Sequence, residues 1–245
     1  MRVIDFALCA MDEIVNQAAK NRFMFGGQGR VPLVARMPIG IWSASAAQHS
    51  QSLESWFAHL PGLVVVTPAT PQDNFGLLKS ALACGDPVVY LEHKELWPLS
   101  APVDTALEVP LGKAAKLREG GDLTIVTWSR GVAPALEALD LPELKGAGVD
   151  LIDLRTLWPW DRDMVFESVS RTGRLLIAQE AVRVGGFGAE VAAEVGEELW
   201  PKLRAPIRRL GAPRTPVPFS VPLEDACRVS PAQIVAAATE MVAAR

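Results

Sequence analysis

The sequence predicts an α/β protein with two domains, each built on a largely parallel sheet. Short apolar runs that favour strands alternate with amphipathic stretches that favour helices along most of the 245 residues. A segment at 98–122, with scattered prolines and weak periodicity, separates two such alternating regions. Hydrophobic residues make up 49% of the chain and charged residues 21%, which excludes a disordered protein and is sufficient for a sizeable core.

The first region contains a clear strand, helix and strand sequence. Residues 4–20 place apolar side chains at helical spacing, which predicts a helix. A second helix has start and stop signals: Thr70 as its cap, Pro71 in the first turn and Gly85 after the last. Strands are predicted at 31–37, 63–67 and 88–91. The last two strands and the capped helix between them predict a βαβ unit.

A capping signature predicts one more helix in this region. Ser45 and Gln48 are three residues apart, the spacing of a capping box, and the predicted helix extends through Glu54 and Trp56. His49 is then expected in the first turn of that helix.

The second region repeats the alternation and predicts a second mostly parallel sheet. Ser230 and Gln233 repeat the capping signature and predict the start of a last helix, after an extended loop at 212–222. The remaining elements are strands at 123–128, 149–154, 174–179 and 207–210, and helices near 133–139, 162–170 and 187–199.

Charge and cysteine usage exclude several classes of protein. The formal net charge of −4 gives no indication of nucleic-acid binding. Cys9, Cys84 and Cys227 are far apart and form no zinc or redox motif, which favours free thiols in a reducing compartment. The apolar runs are too short to cross a bilayer, and early charges interrupt any signal-peptide pattern. We therefore expect a cytoplasmic protein that does not bind membranes.

Of the three histidines, His49 has the most suggestive surroundings. His59 and His93 have no partner at metal-ligand spacing. A helix N-terminus favours the neutral form of imidazole, which can accept a proton, so the predicted helix start would suit a catalytic His49. From the residues alone, a structural histidine packed beneath a loop is the simpler interpretation, and the function stays open at this point.

The chain resembles the β subunit of the thiamine-diphosphate-dependent decarboxylating component of 2-oxo acid dehydrogenase complexes. Pyruvate, branched-chain and acetoin dehydrogenases form this group. The resemblance covers essentially the whole chain in the right order and includes the His-Ser-Gln-Ser segment at 49–52. The other matching segments are 5–6, 12–20, 36–40, 61–63, 76–80, 153–157, 159–161, 172–176 and 185–187.

The resemblance implies domains and site residues. It implies a partial pyrimidine-binding domain at 1–97, a linker at 98–122 and a transketolase C-terminal-type domain at 123–245. By resemblance, His49 is the catalytic histidine facing the thiazolium ring, and Phe6 stacks on the aminopyrimidine. Some members hold a structural potassium ion through backbone carbonyls, and the matching positions are Leu33, Val34, Ala81, Cys84 and Asp86.

The resemblance also implies a cofactor and partners. Thiamine diphosphate would be shared with an α-type subunit that carries the diphosphate-binding domain and Mg2+. A lipoyl or acyl-carrier domain would accept the acyl group, and the chain would associate with itself within a heterotetramer. The family's pyrimidine-binding domain has an earlier part, with a glutamate that hydrogen-bonds the aminopyrimidine. We expect either a split subunit, completed by the partner chain, or a truncated gene.

Two other functions compete with this one. A transketolase-like enzyme would transfer a two-carbon ketol unit to a carrier and would need basic residues at the substrate entrance, where Lys20, Arg22 and Arg30 are the candidates. A non-catalytic assembly subunit would need neither Phe6 nor His49. The loop before His49 is poorer in glycine than in the family, and its Trp42 would narrow the substrate funnel or pack against a partner.

Overall fold

The computed structural model describes residues 2–243. The chain divides into two units. Unit 1 contains Met1–Lys113, Arg155–Trp160 and Pro216–Glu224, and unit 2 contains Ala114–Leu154, Asp161–Thr215 and Asp225–Arg245. The first boundary falls inside the segment 98–122, and unit 1 takes in two segments from the second half of the sequence.

Unit 1 contains a four-stranded sheet in the order β1-β3-β2-β7. Strands β1, β3 and β2 are parallel to one another, and β7 is antiparallel to β2. The predicted βαβ unit is confirmed, whereas β7 was not predicted, because three residues before a proline carry too little pattern. The strands are β1 (Val34–Ile39), β2 (Val64–Val66), β3 (Val88–His93) and β7 (Thr156–Trp158).

The predicted helix at 4–20 is helical in the structure, but its geometry is irregular. It begins with 3-10 turns at Ile4–Ala10, continues through a wide π turn at Glu13–Ala18 and ends in α1 (Asn21–Met24). The other helices of unit 1 are α2 (Glu54–Ala58) and α3 (Pro71–Ala83), and a 3-10 turn at Lys94–Leu96 follows β3.

The start and stop predicted for α3 are confirmed. The Thr70 hydroxyl accepts a hydrogen bond from the Asp73 amide at 3.1 Å, and Pro71 is the first helical residue. The chain leaves the helix through Gly85, whose φ of +74° suits a residue without a side chain.

The helix predicted from Ser45 is wrong. Residues 45–53 form a loop, and helix α2 begins only at Glu54. The Ser45 hydroxyl donates to the Trp42 carbonyl at 2.6 Å instead of capping a helix, and Ala44 and Ala46 have left-handed φ values of 53° and 60°. Left-handed residues cannot continue a right-handed helix. His49 therefore has no helix N-terminus beside it, and that argument for a catalytic role fails.

Unit 2 contains a five-stranded sheet in the order β4-β6-β5-β8-β9, parallel except for β4. The predicted second sheet is confirmed. Its edge strand β4 lies in the segment 98–122, where half-buried and exposed residues alternate over only four positions. The strands are β4 (Ala115–Arg118), β5 (Leu123–Thr127), β6 (Val149–Asp153), β8 (Leu175–Val182) and β9 (Arg208–Ala212).

Helices connect the strands of this sheet or follow the last of them in the sequence. The capping box of the last helix is confirmed, because the Gln233 amide donates to the Ser230 hydroxyl at 3.3 Å and the Gln233 side chain accepts from the Ser230 amide at 2.9 Å. None of the helices in residues 2–243 combines the length and apolarity that crossing a membrane requires. The helices are α4 (Val132–Asp140), α5 (Arg162–Thr172), α6 (Gly188–Leu199), α7 (Val221–Asp225) and α8 (Pro231–Ala243).

The single tyrosine provides a test of the core of unit 1. Tyr90 is fully buried on β3, and its hydroxyl donates to the Asn74 backbone carbonyl at 2.9 Å. Burial raises the pKa of Tyr90 far above its usual range, and the charge of Glu92 adds to this shift. A raised folded-state pKa contributes stability that is present below the unfolded pKa of about 10 and is lost as the pH rises above it.

We therefore expect Tyr90 to stay protonated until unit 1 unfolds in alkali. Ultraviolet absorbance of tyrosinate, recorded with circular dichroism, measures both events, and the two transitions should coincide. Ionisation near pH ~10 in a chain whose circular dichroism is still native would contradict the buried position.

Candidate active site

Phe6 and His49, the two residues predicted for the catalytic site, contact each other. Their ring centroids are 5.2 Å apart and the rings meet edge to face at 79°. Phe6 is 47% exposed, and His49 is also exposed. The structure thus places an imidazole and an accessible aromatic ring side by side in unit 1, although they are 43 positions apart in the sequence (49 minus 6).

Asp5 connects the two chain segments that carry this pair. It is 6% exposed, and its Oδ1 accepts hydrogen bonds from the Gln51 amide at 3.3 Å and from Gln51 Nε2 at 2.9 Å. Both residues lie in segments that carry the resemblance, but no role was predicted for either from the sequence. Since Asp5 precedes Phe6 and Gln51 follows His49 by two residues, this contact helps to keep the two rings together.

Two buried polar atoms next to the pair retain hydrogen-bonding capacity. Among the residues that the structure describes, Asp5 Oδ2 and the Ser50 hydroxyl have no hydrogen-bond partner. Buried polar groups are normally paired, so unpaired ones in a site point to a bound water or ligand. An exposed ring, an imidazole and unpaired polar atoms suit a heteroaromatic ligand with hydrogen-bonding edges.

The chain before His49 is held in a folded loop. The Gly40 amide donates to the Gln51 carbonyl at 3.1 Å, which closes the loop at its base. Trp42 packs edge to face against Trp97, with ring centroids 6.0 Å apart. Trp42 was predicted either to narrow the substrate funnel or to pack against a partner. The packing contact seen within unit 1 is with a residue of the same chain, and both roles stay predictions.

A groove of about 710 Å3 lies in unit 1, and Trp97, which packs against this loop, is one of its lining residues. Its walls include apolar side chains of α3, such as Phe75 and Leu78, and the ion pair of Arg36 and Glu92. In that pair, Arg36 donates to Glu92 through Nε at 3.0 Å and Nη2 at 2.6 Å. These hydrogen bonds, and the Glu92 charge, raise the pKa of Arg36 above its usual range.

Of the five positions predicted for potassium, Leu33 and Val34 lie at the start of β1, whereas Ala81, Cys84 and Asp86 lie at the end of α3 and in the turn that follows it. The Leu33 carbonyl accepts from the Val88 amide at 2.8 Å, and Val34 is in register with Val88. The Cys84 amide and thiol donate to the carbonyls of Ala81 at 3.5 Å and Asp86 at 3.4 Å. Each carbonyl has a second lone pair, so these hydrogen bonds do not use all of its capacity to accept. Coordination of potassium stays a prediction.

A metal ion could also be held by side chains. Among residues 2–243, no three His, Cys, Asp or Glu side chains are grouped so that they could hold a metal ion.

Two of the three basic residues considered for a ketose phosphate have structural partners. Lys20 Nζ donates to the Pro61 carbonyl at 2.7 Å, and Arg22 Nε pairs with the Asp86 carboxylate at 2.5 Å. Cations engaged in this way are less available to a phosphate, so the transketolase-like alternative receives no support from them.

Two family models match most of this chain. Residues 3–99 match the family model of the transketolase pyrimidine-binding domain, and residues 112–234 match that of the transketolase C-terminal domain. A solved split-gene transketolase, in an inactive β4 tetramer, has a TM-score of 0.80 over 99% of this chain and 75% of its own. At 23% identity this likeness shows a shared fold alone.

Curated relatives identify the branch of the family. The β subunit of acetoin:2,6-dichlorophenolindophenol oxidoreductase from Cupriavidus necator is 45% identical over 96% of this chain and 70% of its own length. The pyruvate dehydrogenase E1 β subunit of Rickettsia felis is 41% identical over 95% and 72%, and the 2-oxoisovalerate dehydrogenase β subunit of Bacillus subtilis is 38% identical over 98% and 75%. The chain therefore belongs to the family of β subunits of thiamine-diphosphate-dependent 2-oxo acid dehydrogenases.

Proposed function

We propose that this chain is the β-type subunit of an enzyme that decarboxylates a 2-oxo acid and transfers the acyl group, with His49 as a catalytic residue. The observation that carries the proposal is the contact between Phe6 and His49, since it places a proton-transfer group against an accessible aromatic ring. The names of the pyruvate and 2-oxoisovalerate dehydrogenase relatives support a 2-oxo acid as substrate.

The residues at this site fit thiamine diphosphate. When bound, this cofactor supplies the electron sink that loss of carbon dioxide from a 2-oxo acid requires. Phe6 would hold the aminopyrimidine by stacking, and the unpaired atoms of Asp5 and Ser50 are available to polar edges of the ligand. An imidazole nitrogen of His49 would move a proton to or from the reacting substrate.

We further propose that an α-type subunit completes the site and brings the diphosphate-binding domain and Mg2+. Strand β1 pairs with β3 on one side, and no strand within residues 2–243 pairs with its other edge. Parallel sheets in α/β domains are normally covered, and open edges tend to associate. Exposed apolar residues at the end of α1, including Phe23 at 86% and Phe25 at 63%, also favour association.

The proposed complex is a heterotetramer with two copies of each subunit, and it delivers its acyl group to a lipoyl or acyl-carrier domain. Cys9, Cys84 and Cys227 form no disulfide, which supports a reducing compartment, and we place the enzyme in the cytoplasm.

Cofactor binding to the co-purified complex tests this proposal. Calorimetric titration with thiamine diphosphate and Mg2+ should show binding by the complex, and Phe6→Ala should weaken it about tenfold because a stacking surface is lost. Phe219→Ala, which removes a 72% exposed ring of the same unit, is the matched control and should leave the affinity unchanged. Equal affinities for wild type and Phe6→Ala would exclude Phe6 from the cofactor site.

A further inference from the structure

The loop that carries His49 has a strained backbone that needs contacts from neighbouring elements. Residues 40–53 contain neither helix nor strand. Ser43, Ala44 and Ala46 have φ values of 50°, 53° and 60°, in the left-handed region that residues with a Cβ atom avoid. Such strained residues persist only where surrounding contacts over-determine the conformation, so the loop depends on neighbouring elements.

One of these elements is the 3-10 turn that follows β3. Lys94, its first residue, donates a hydrogen bond from Nζ to the backbone carbonyl of His49. Trp97, directly after the turn, packs against Trp42 near the start of the loop. The end of β3 therefore contacts the loop at two points, and one of them is the peptide group of the candidate catalytic histidine.

Lys94 is buried, so its ammonium group depends on protein atoms as hydrogen-bond partners. The residue is only 3% exposed, although lysine is almost never buried without a partner. An ammonium withdrawn from water is stable only when polar atoms surround it, and a hydrogen bond from a charged donor is stronger than one between neutral groups. The His49 carbonyl supplies one such atom, so a displaced loop would take a polar partner away from this charge.

We propose that Lys94 is a positioning residue, whose buried ammonium fixes the His49 carbonyl and thereby orients the imidazole against Phe6. Lys94 does not touch the reacting atoms and acts only through His49. The catalytic part of this inference rests on the proposed function, whereas the structural part does not.

Amide hydrogen exchange tests the structural part in the purified complex. The His49 amide donates to the Ala46 carbonyl at 3.4 Å and the Gln51 amide donates to Asp5 at 3.3 Å, so both report on the loop. Lys94→Met, which keeps the stem and removes the charge, should accelerate exchange at these amides about tenfold. Lys79→Met, at an exposed lysine of α3, is the control and should change nothing. Unchanged exchange in Lys94→Met would overturn the proposal.

A double-mutant cycle tests the catalytic part. Lys94→Met should lower kcat about tenfold in the wild-type background, and should cause no further loss in the His49→Ala background. Lys94→Arg, which keeps a positive donor, should restore most of the turnover and most of the exchange protection. Equal losses in both backgrounds would mean that Lys94 acts independently of His49 and would contradict the proposal.

The hydrogen-exchange experiment and the double-mutant cycle distinguish failure of the Lys94 proposal from failure of the proposed function. If the wild-type complex turns over no 2-oxo acid, the proposed function fails, and hydrogen exchange alone still decides whether Lys94 holds the loop. Circular dichroism and the thermal midpoint are recorded first for each variant. If Lys94→Met does not unfold cooperatively, Lys94→Gln, a neutral side chain that retains one amide donor, takes its place in both measurements with the same expected directions.

Discussion

His49→Ala is expected to lower turnover of the assembled complex by ~10²-fold or more, the usual contribution of a positioned acid or base. The imidazole is exposed beside Phe6, and no other histidine takes its place there, because His93 is buried and accepts a hydrogen bond from the Glu95 amide. The substitution removes an exposed side chain from a loop, so the fold should be retained.

Steady-state rates with a 2-oxo acid and an artificial electron acceptor measure this effect. His59→Ala is the control, because His59 is exposed at the end of α2 and should not affect the rate. The KM of the variant distinguishes weaker substrate binding from slower chemistry. Unchanged turnover in His49→Ala would instead favour the interpretation of the chain as an assembly subunit.

Arg155→Met is expected to reduce the free energy of unfolding by about 3 kcal/mol, because it leaves a buried carboxylate without its counter-charge. Arg155 Nη2 lies 2.6 Å from Asp73 Oδ1, and the two side chains are 21% and 2% exposed. The Arg155 carbonyl also accepts from the Thr67 amide at 2.8 Å, so this residue joins the segment carrying β7 to the centre of unit 1. Its φ of 59° is left-handed, which makes the segment dependent on these contacts.

Thermal unfolding checks this prediction, and the expected loss corresponds to a midpoint lower by roughly 6–12 °C for a chain of this size. Arg118→Met is the matched control: its ion pair with Asp140 spans 3.7 Å between side chains that are 52% and 72% exposed. An exposed pair of this kind contributes about 0–1 kcal/mol. Adding Asp73→Asn to Arg155→Met should recover part of the loss, since the buried charge is then absent. Equal midpoints for the two arginine variants would contradict the account.

Local signals in the sequence predicted the elements that depend on local contacts. Thr70 caps α3 and Ser230 caps α8 through hydrogen bonds to residues three positions away, so sequence spacing contains the necessary information. The same spacing at Ser45 and Gln48 failed: the structure has a loop there, with long-range contacts to Lys94 and Asp5 that local spacing does not contain. Tertiary contacts overrode the local preference at the candidate site.

The sequence predicted some residues of the candidate site and not others. Phe6 and His49 were found through the resemblance to a family, and no periodicity or spacing in the chain indicates that they contact each other. The contacts of Lys94 with His49 and of Asp5 with Gln51 were not predicted, since a single sequence contains no signal that pairs residues 45 or 46 positions apart. A buried lysine and a buried aspartate each looked like an ordinary charged residue in the sequence.

The central claim is that the Phe6 and His49 site supports decarboxylation of a 2-oxo acid when an α-type subunit completes it. Release of carbon dioxide from a panel of carboxyl-labelled 2-oxo acids tests it most directly. The account predicts release that requires both subunits and thiamine diphosphate and that falls sharply in His49→Ala. A complex that binds the cofactor and yet releases no carbon dioxide from any 2-oxo acid would contradict it.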